Sequence, residues 1–523
     1  MTATYPPLIQ ALRDPGRYPH PVRQVEVLET HISWVLLAGR YAYKIKKPVD
    51  LGFLDFSDLQ KRRFFCGEEL RLNRRLAPSL YLATVGIGGT AERPEIGAEP
   101  AIEYAVKMRR FPVANTLDHL FGRHGLQPRH IDLLAQTVAG FHAGLPAAAA
   151  DAVYGTPAAV MAPARQNFRQ LRTLLAAADL PMLDRLESAG EAEYAACTAL
   201  IADRRQQGRI RECHGDLHLG NIVLLRDRPV PFDAIEFAPE LRWIDTINDA
   251  AFLVMDLLQR GRGDLAYRFL NGYLESSGDY AGLGLLRFYL SYRAAVRAKV
   301  AGFRLAQTGD PAAKRECLAY LQQAVAGLAQ RKPVLILMHG LPGCGKSHVA
   351  QLLLERYGWI RLRSDVERKR LFGLSPLASS RSATGGGIYQ ADASRQTYGR
   401  LLELSRGLLA DGFGVIADAA FLQYDQRRPF RELAAQLGAG FALVAVRAEP
   451  ATLRRRISER QAAGNDASEA GLEVLEHASR NLEPLQADEM SSCLQFDNDA
   501  EPAATDDSRP FWRQLAELAA LGA

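Results

Sequence analysis

The chain has few cysteines, and their spacing builds nothing. The six, Cys66, Cys197, Cys213, Cys317, Cys344 and Cys493, include no C-x-x-C pair. That argues against a disulfide framework or a zinc cluster and for free thiols in a reducing compartment. No apolar run approaches the roughly 20 residues of a membrane helix, so no membrane partner is expected. The stretch Met1 to Pro7 has no basic start and no apolar core, so no signal peptide is expected and a cytoplasmic place is. Charge of neither sign dominates. The net charge is +5 over 523 residues, which allows anionic substrates without demanding nucleic acid. There is no internal repeat, and the pattern specifies no oligomeric state. A content of 48% apolar and 24% charged residues is ordinary for an enzyme of two or three domains.

What is present is concentrated in two motifs. The first begins with the apolar run Val334 to Met338, a short buried strand. Gly340, Leu341, Pro342, Gly343, Cys344, Gly345, Lys346 and Ser347 follow, and then an apolar helical pattern at Val349, Leu352 and Leu353. This is G-x-x-x-x-G-K-S in a strand–loop–helix setting, a P-loop. The three glycines let backbone N–H groups turn inward, and with the helix N-terminus they make an anion cradle. Residues 340–348, ending at His348, are therefore the expected nucleotide cradle. Lys346 would sit on the β- and γ-phosphates and Ser347 on Mg²⁺. Cys344, inside this positive loop, is expected to be an unusually reactive thiol.

The second motif runs from Cys213 through His214, Gly215, Asp216 and His218 to Asn221. Phe232, Asp233 and Glu236 come shortly after, beyond a hairpin with strands at Ile222 to Leu225 and from Val230. The set resembles the catalytic loop and metal segment of the aminoglycoside phosphotransferases, relatives of the protein kinases, whose H-G-D-x-H-x-x-N signature is matched at every position. The resemblance implies a two-lobed kinase-like fold. Asp216 would orient and deprotonate an acceptor hydroxyl, and Asn221 and Asp233 would hold Mg²⁺. It also implies an N-lobe lysine. Ile32 to Ala38 and Tyr41 to Lys47 read as a β-hairpin that places Lys44 and Lys46 on one face. Lys44 is preferred for the α/β-phosphates, with Glu69 on the helix Gln60 to Leu76 as its partner and Glu68 behind it. Val106 to Pro112 reads as the strand and hinge between lobes. No Gly-rich loop lies between Arg23 and Lys44, which favours the small-molecule branch of the family. Asp249 reads as a helix cap and His142 as a packed structural histidine. Tyr289, Arg293 and Arg297 fall on one helical face, either solvated or a wall for an anionic or neutral polyol.

Beyond the P-loop, a strand ends at Ser364 and Asp365 and a basic helix follows. This is similar to P-loop small-molecule and polynucleotide kinases of the zeta-toxin and gluconate-kinase type, an AAA-type group. The resemblance implies that Asp365 receives the acceptor hydroxyl and Arg368 binds substrate; a helix N-cap is the other reading of Asp365. Gly412 to Asp418 resembles a Walker-B strand, with Asp418 in the Mg²⁺ shell. Leu453 to Arg460, leading into a loop at 464–468, resembles a lid. Arg456 and Arg460 are its candidates for neutralising the transferring phosphoryl group.

The expected architecture is α/β and α+β. A protein-kinase-like two-lobe domain covers 1–325, with the N-lobe at about 20–112 and the C-lobe at about 113–325. A parallel α/β P-loop domain covers 331–495. An acidic tail and a short helix occupy 496–523. The expected function is a bifunctional phosphotransferase using ATP and Mg²⁺, each half acting on a small-molecule hydroxyl of sugar, nucleoside or aminoglycoside type. Two alternatives stand beside it. The P-loop half is a 5′-hydroxyl polynucleotide kinase, for which Arg361, Arg363, Arg368, Lys369 and Arg370 supply a basic track, though nucleic acid is not favoured as a partner. Or one half is a nucleotide-sensing regulator of the other.

Overall fold

The computed structural model describes residues 5–520 except 53, 331, 381–385, 464–465 and 500–509. The acidic tail at 497–508 and the tip of the expected lid loop therefore lie largely outside the described residues. The chain forms two compact units. One comprises Met1–Thr137, Phe141–Asn167 and Thr198–Asp256; the other comprises Val138–Gly140, Phe168–Cys197 and Leu257–Ala523. The units do not part between the expected domains 1–325 and 331–495, because the second takes in 257–330 as well.

The first unit is built on a six-stranded antiparallel sheet. Its strands are β1 (Val25–Glu29), β2 (Ser33–Ala38), β3 (Tyr41–Lys46), β4 (Tyr81–Gly89), β5 (Pro94–Ile96) and β6 (Glu103–Arg109), in the order β1-β2-β3-β6-β4-β5. β2 and β3 pair across Gly39, whose φ of 58° suits the turn. Alternation along β3 sends Tyr43 and Ile45 into one apolar cluster with Leu36, and Lys44 and Lys46 to the opposite face. The helix Leu59–Asn73 crosses that face. Asp58 caps it, its carboxylate accepting the Lys61 N–H at 2.8 Å and so satisfying one of the donors a helix start leaves open. Two short ladders complete the unit: β7 (Ile210–Glu212) with β10 (Trp243–Asp245), and the hairpin β8 (Ile222–Leu225) with β9 (Arg228–Pro231). The motif loop joins β7 to β8.

The second unit contains the five-stranded parallel sheet of β11 (Val334–His339), β12 (Ile360–Arg363), β13 (Val415–Asp418), β14 (Gly440–Arg447) and β15 (Cys493–Asp497). Their order is β12-β13-β11-β14-β15. Every β11 residue is buried, as a central parallel strand covered on both faces requires. The sheet places Met338, Asp418 and Arg363 side by side at the strands' C-terminal ends, where open α/β sheets bind ligands. The C-terminal helix Pro510–Ala520 docks on this core through Phe511, Trp512 and Leu515. The helix Leu286–Thr308 buries Tyr289 and Arg293, and the Arg297 guanidinium lies over the Tyr320 ring. The face read as solvated, or as a substrate wall, is largely packed protein.

Candidate functional sites

In the first unit, Gly215 has φ 86°, and a Cβ there would stand 2.8 Å from the Leu241 carbonyl oxygen. Only glycine suits this turn. The loop is held from beneath by the helix Thr246–Gln259. One Asp249 carboxylate accepts the N–H groups of Gly215 (2.8 Å) and His214 (3.1 Å) and meets His142 Nε2 at 3.0 Å; Asp256 accepts the Leu219 N–H at 2.9 Å. Asp249 is thus no helix cap, since the helix begins three residues earlier. Its partnership with His142 keeps that histidine structural, as expected. Asp249 and Asp256 are seven residues apart, two helical turns on one face, and this spacing is the signal that would have revealed them. Cys213 completes a buried trio with His142 and Asp249, all ligand atoms within 4.8 Å. The Asp249 oxygens are already taken by the loop, so the trio reads as part of its support. Burial holds the His214 imidazole below its usual range, and its Nε2 meets the Phe232 carbonyl at 2.9 Å.

Asn221 Nδ2 donates to both the side chain (2.9 Å) and the carbonyl (3.0 Å) of Asp216, which leaves its Oδ1, without a hydrogen-bond partner among the described residues, as an oxygen of the kind a hard cation takes. Asp233, at φ 63°, is fixed by the Tyr81 hydroxyl on its N–H (3.1 Å). Lys44 Nζ sits 2.6 Å from Asp233 Oδ1 and 2.9 Å from Glu69 Oε1. The expected lysine, helix glutamate and metal-segment aspartate thus come together. Burial opposes the Lys44 charge, but Asp233, Glu69 and Glu236 reverse this and hold its pKa well above normal. Glu69 is wholly buried and is reached by Lys44 and Lys46. Lys46, the second lysine of the strand, is also wholly buried; it pairs with Glu69 at 2.7 Å and with Glu236. No sequence signal pairs residues 190 positions apart, and the role of Glu236 was missed for that reason.

In the second unit, Gly340, Gly343 and Gly345 have φ of 144°, 83° and 93°. A Cβ would lie 2.4 Å from the Val446 carbonyl oxygen at Gly340, 2.8 Å from that of Leu453 at Gly343, and 2.0 Å from Asn498 Nδ2 at Gly345. The loop is thus closed from behind and open in front. Asn498, which the sequence did not single out, donates to the Cys344 carbonyl at 2.9 Å. Lys346 Nζ donates to the carbonyls of Gly340 (2.9 Å) and Leu341 (3.0 Å). Cys344 is 1% exposed and packs in the sheet's core with Leu341 at its edge. The reactive-thiol expectation is therefore corrected: the Cys344 thiol is buried in packed protein, and its N–H donates to the Leu341 carbonyl at 3.3 Å.

In front of the loop lies a cavity of about 1200 Å³. Pro342, Gly343, Gly345, Lys346, Ser347 and His348 of the loop line it, together with Asp365, Arg368, Asp418, Arg456 and Arg460. Asp365 is no N-cap, because the helix starts at Ser364 and Arg363 holds the N-cap position without a side-chain capping bond. Arg368 is buried, bonded to the Ile388 carbonyl (3.1 Å) and Ser394 Oγ (3.2 Å) and lying over the Tyr389 ring. Arg456 donates to the Asn498 carbonyl (2.8 Å) and Arg460 to that of Ala470 (2.7 Å). Burial raises the Asp418 pKa, opposed by Arg363, Arg361 and a Ser347 hydrogen bond. Its Oδ2 is buried without a hydrogen-bond partner among the described residues. A buried, unpaired carboxylate oxygen beside a serine fits Mg²⁺. The basic track of the nucleic-acid alternative is largely buried. Arg361 pairs with Glu275, Lys369 with Glu469 and Arg370 with Glu367, and Trp359 is buried against Tyr357.

The comparisons with known proteins place one family model over each motif. The model described as "Phosphotransferase enzyme family" matches residues 66–286, and the model described as "AAA domain" matches 335–485. The uncharacterised protein Rv2004c of Mycobacterium tuberculosis is 33% identical over 456 residues, 86% of this chain and 89% of that protein. Among solved structures, the GDP and kanamycin complex of an APH(2") enzyme is similar at 15% identity with a TM-score of 0.40, covering 61% of this chain and 99% of that one. A gluconokinase from Sinorhizobium meliloti is similar at 22% identity with a TM-score of 0.26, covering 37% and 95%.

Proposed function

The chain belongs to one family with that mycobacterial protein and is a kinase, and we propose that it is two kinases, each half transferring the γ-phosphate of ATP to a hydroxyl of its own small-molecule acceptor. The observation that carries this reading is that each half gathers its own lysine and acids within one compact unit. Lys44 lies with Glu69 and Asp233, and Lys346 and Ser347 lie with Asp418. The proposed partition is a kinase-like part through about 325, a P-loop part over 331–495, and a C-terminal segment. A cytoplasmic place belongs to the same reading.

In the N-terminal half, Lys44 would leave Asp233 for the α/β-phosphates while Glu69 keeps it oriented. Asp216 accepts the proton of the acceptor hydroxyl, its carboxylate aimed by Asn221. Asn221 and Asp233 are the residues that would hold Mg²⁺. In the P-loop half, Lys346 would exchange two loop carbonyls for phosphate oxygens. Asp365 takes the acceptor proton, Arg368 binds the acceptor, and Arg456 and Arg460 balance charge on the phosphoryl group. Ser347 and Asp418 would hold Mg²⁺ there. Bound at either site, Mg²⁺ supplies neutralisation of the phosphate charge, so no covalent enzyme intermediate is needed.

A small-molecule acceptor is favoured over RNA for the P-loop half because Arg361, Arg363, Lys369 and Arg370 of the basic track are paired with carboxylates. The test is a γ-phosphate transfer screen against sugars, nucleosides, aminoglycosides and short RNA, with Asp216→Ala and Lys346→Ala chains. Each substitution should erase transfer to a different acceptor. Loss of all transfer in both would sink the reading.

A further inference from the structure

The helix Gly263–Ser277 lies inside the stretch matched by the phosphotransferase model, yet within the second unit it packs on the P-loop sheet. One stripe of it does so, at spacings of three and four. Tyr267 covers Gly358, where a Cβ would stand 2.6 Å from its ring, and Arg268 pairs with Glu355 at 2.7 Å. Asn271 then meets β12, the edge strand of the sheet. It accepts the Arg361 N–H at 2.7 Å and donates to the Trp359 carbonyl at 3.2 Å, so one amide satisfies two backbone groups that an open edge would leave unpaired. One turn later comes Glu275. Its Oε1 takes Arg361 Nε and Nη2 at 2.9 and 2.7 Å, and its Oε2 lies 3.8 Å from Arg363 Nη1.

We infer that Glu275 is a positioning residue for the P-loop site, holding Arg361 and Arg363 back from Asp418 and so keeping that carboxylate available to Mg²⁺. The inference rests on the reading of Asp418 as a metal-holding carboxylate. Its geometric basis is the sharing of two guanidiniums by three acids. Arg363 donates to Asp466 at 2.8 Å, but its Nε stops 4.0 Å from Asp418 Oδ2, the oxygen without a hydrogen-bond partner. Arg361 reaches the other side of the site, its Nη1 lying 3.4 Å from the Ser347 carbonyl. Remove the Glu275 charge, and two buried cations face a buried carboxylate with no competing acid on the helix side. Attraction of this kind strengthens where water is excluded. An arginine that closed on Oδ2 would occupy a lone pair that the metal needs. Both arginines already act on Asp418, lowering a pKa that burial raises. The helix backbone adds a further tie, since Arg370 Nη2 donates to the Glu275 carbonyl at 2.5 Å.

The test uses the full chain and needs no acceptor. Binding of a non-hydrolysable ATP analogue is followed by calorimetry at rising Mg²⁺, and the component missing from Lys346→Ala is assigned to the P-loop half. Glu275→Gln should raise the Mg²⁺ concentration at half-saturation of that component by about tenfold, the scale of one charge-assisted contact. Adding Arg363→Gln to it should bring the requirement back down, which a merely structural role of Glu275 would not do. An unchanged Mg²⁺ requirement in Glu275→Gln, while Asp418→Asn shifts it, overturns this inference and leaves the metal reading standing. No shift in Asp418→Asn overturns the metal reading and the inference together. Should Glu275→Gln fail to fold, the shorter Glu275→Asp decides. A raised Mg²⁺ requirement that added Arg363→Gln brings back down supports the inference, and an unchanged one overturns it.

Discussion

The two sites hold their phosphate lysines in opposite ways. Lys44 is held by side chains, Asp233 and Glu69, which come from a loop and a helix far away in sequence. Lys346 is held by backbone, the carbonyls of Gly340 and Leu341 in its own loop. A site built from backbone tolerates side-chain exchange but not a change in the path of the chain. A site built from side chains has the reverse sensitivity. Glycine substitutions should therefore break the P-loop half most severely, and carboxylate substitutions the N-terminal half.

The largest effect is expected from Gly340→Ala. Its φ of 144° and the Val446 carbonyl 2.4 Å from the new Cβ leave no room without moving β14 or the loop. Nucleotide binding at the P-loop half should fall beyond detection, while transfer by the N-terminal half is kept. Isothermal titration on the full chain reads both. Normal P-loop binding in this variant would show that the cradle is not built from backbone.

Next in size is Asp216→Asn. General-base loss typically costs about 10²–10⁴-fold in rate, so N-terminal transfer should fall by that much with nucleotide affinity near its starting value. Steady-state transfer beside direct binding separates the two. Lost binding with normal turnover would mean the role of Asp216 is wrongly assigned.

The same contrast explains what the sequence made legible. The P-loop could be read directly because a backbone site leaves its signature locally, in Gly340, Gly343, Gly345 and the flanking strand and helix. The loop from His214 to Asn221 was readable for its own order of residues. Its supports were not. Asp249 looks like a cap until its helix is seen to begin at Thr246, and Lys46 meets Glu236 across most of the first unit. Cys344 was misjudged because the charge of a loop can be read from sequence while the direction of a thiol cannot. The membership of the Gly263–Ser277 helix in the second unit depends on contacts of Asn271 and Glu275 with residues about 90 positions on, which no local pattern encodes.

A smaller effect is expected with pH. Burial lowers the His339 pKa to about 4. The unfolded chain takes up this proton near 6.5, before the folded chain does. Stability from this group is thus present above about pH 6.5 and is lost as pH falls toward 4, by at most about 3 kcal/mol. Thermal melts between these pH values should show the P-loop half losing stability, and His339→Asn should flatten that part of the curve. An identical slope in the variant would exclude His339 as the cause.

The smallest effect is an absence. Cys344 is 1% exposed, so brief maleimide treatment of the native chain should leave it unlabelled and P-loop nucleotide binding unchanged. Rapid labelling of Cys344, read by mass spectrometry, would show that the loop opens.

Two sites of such different construction should fail independently, and counting bound nucleotide tests this most directly. With a non-hydrolysable ATP analogue and Mg²⁺, calorimetry should find two nucleotides per chain, falling to one in Lys346→Ala with the N-terminal site intact. One nucleotide per unmutated chain, or none in Lys346→Ala, would contradict the account.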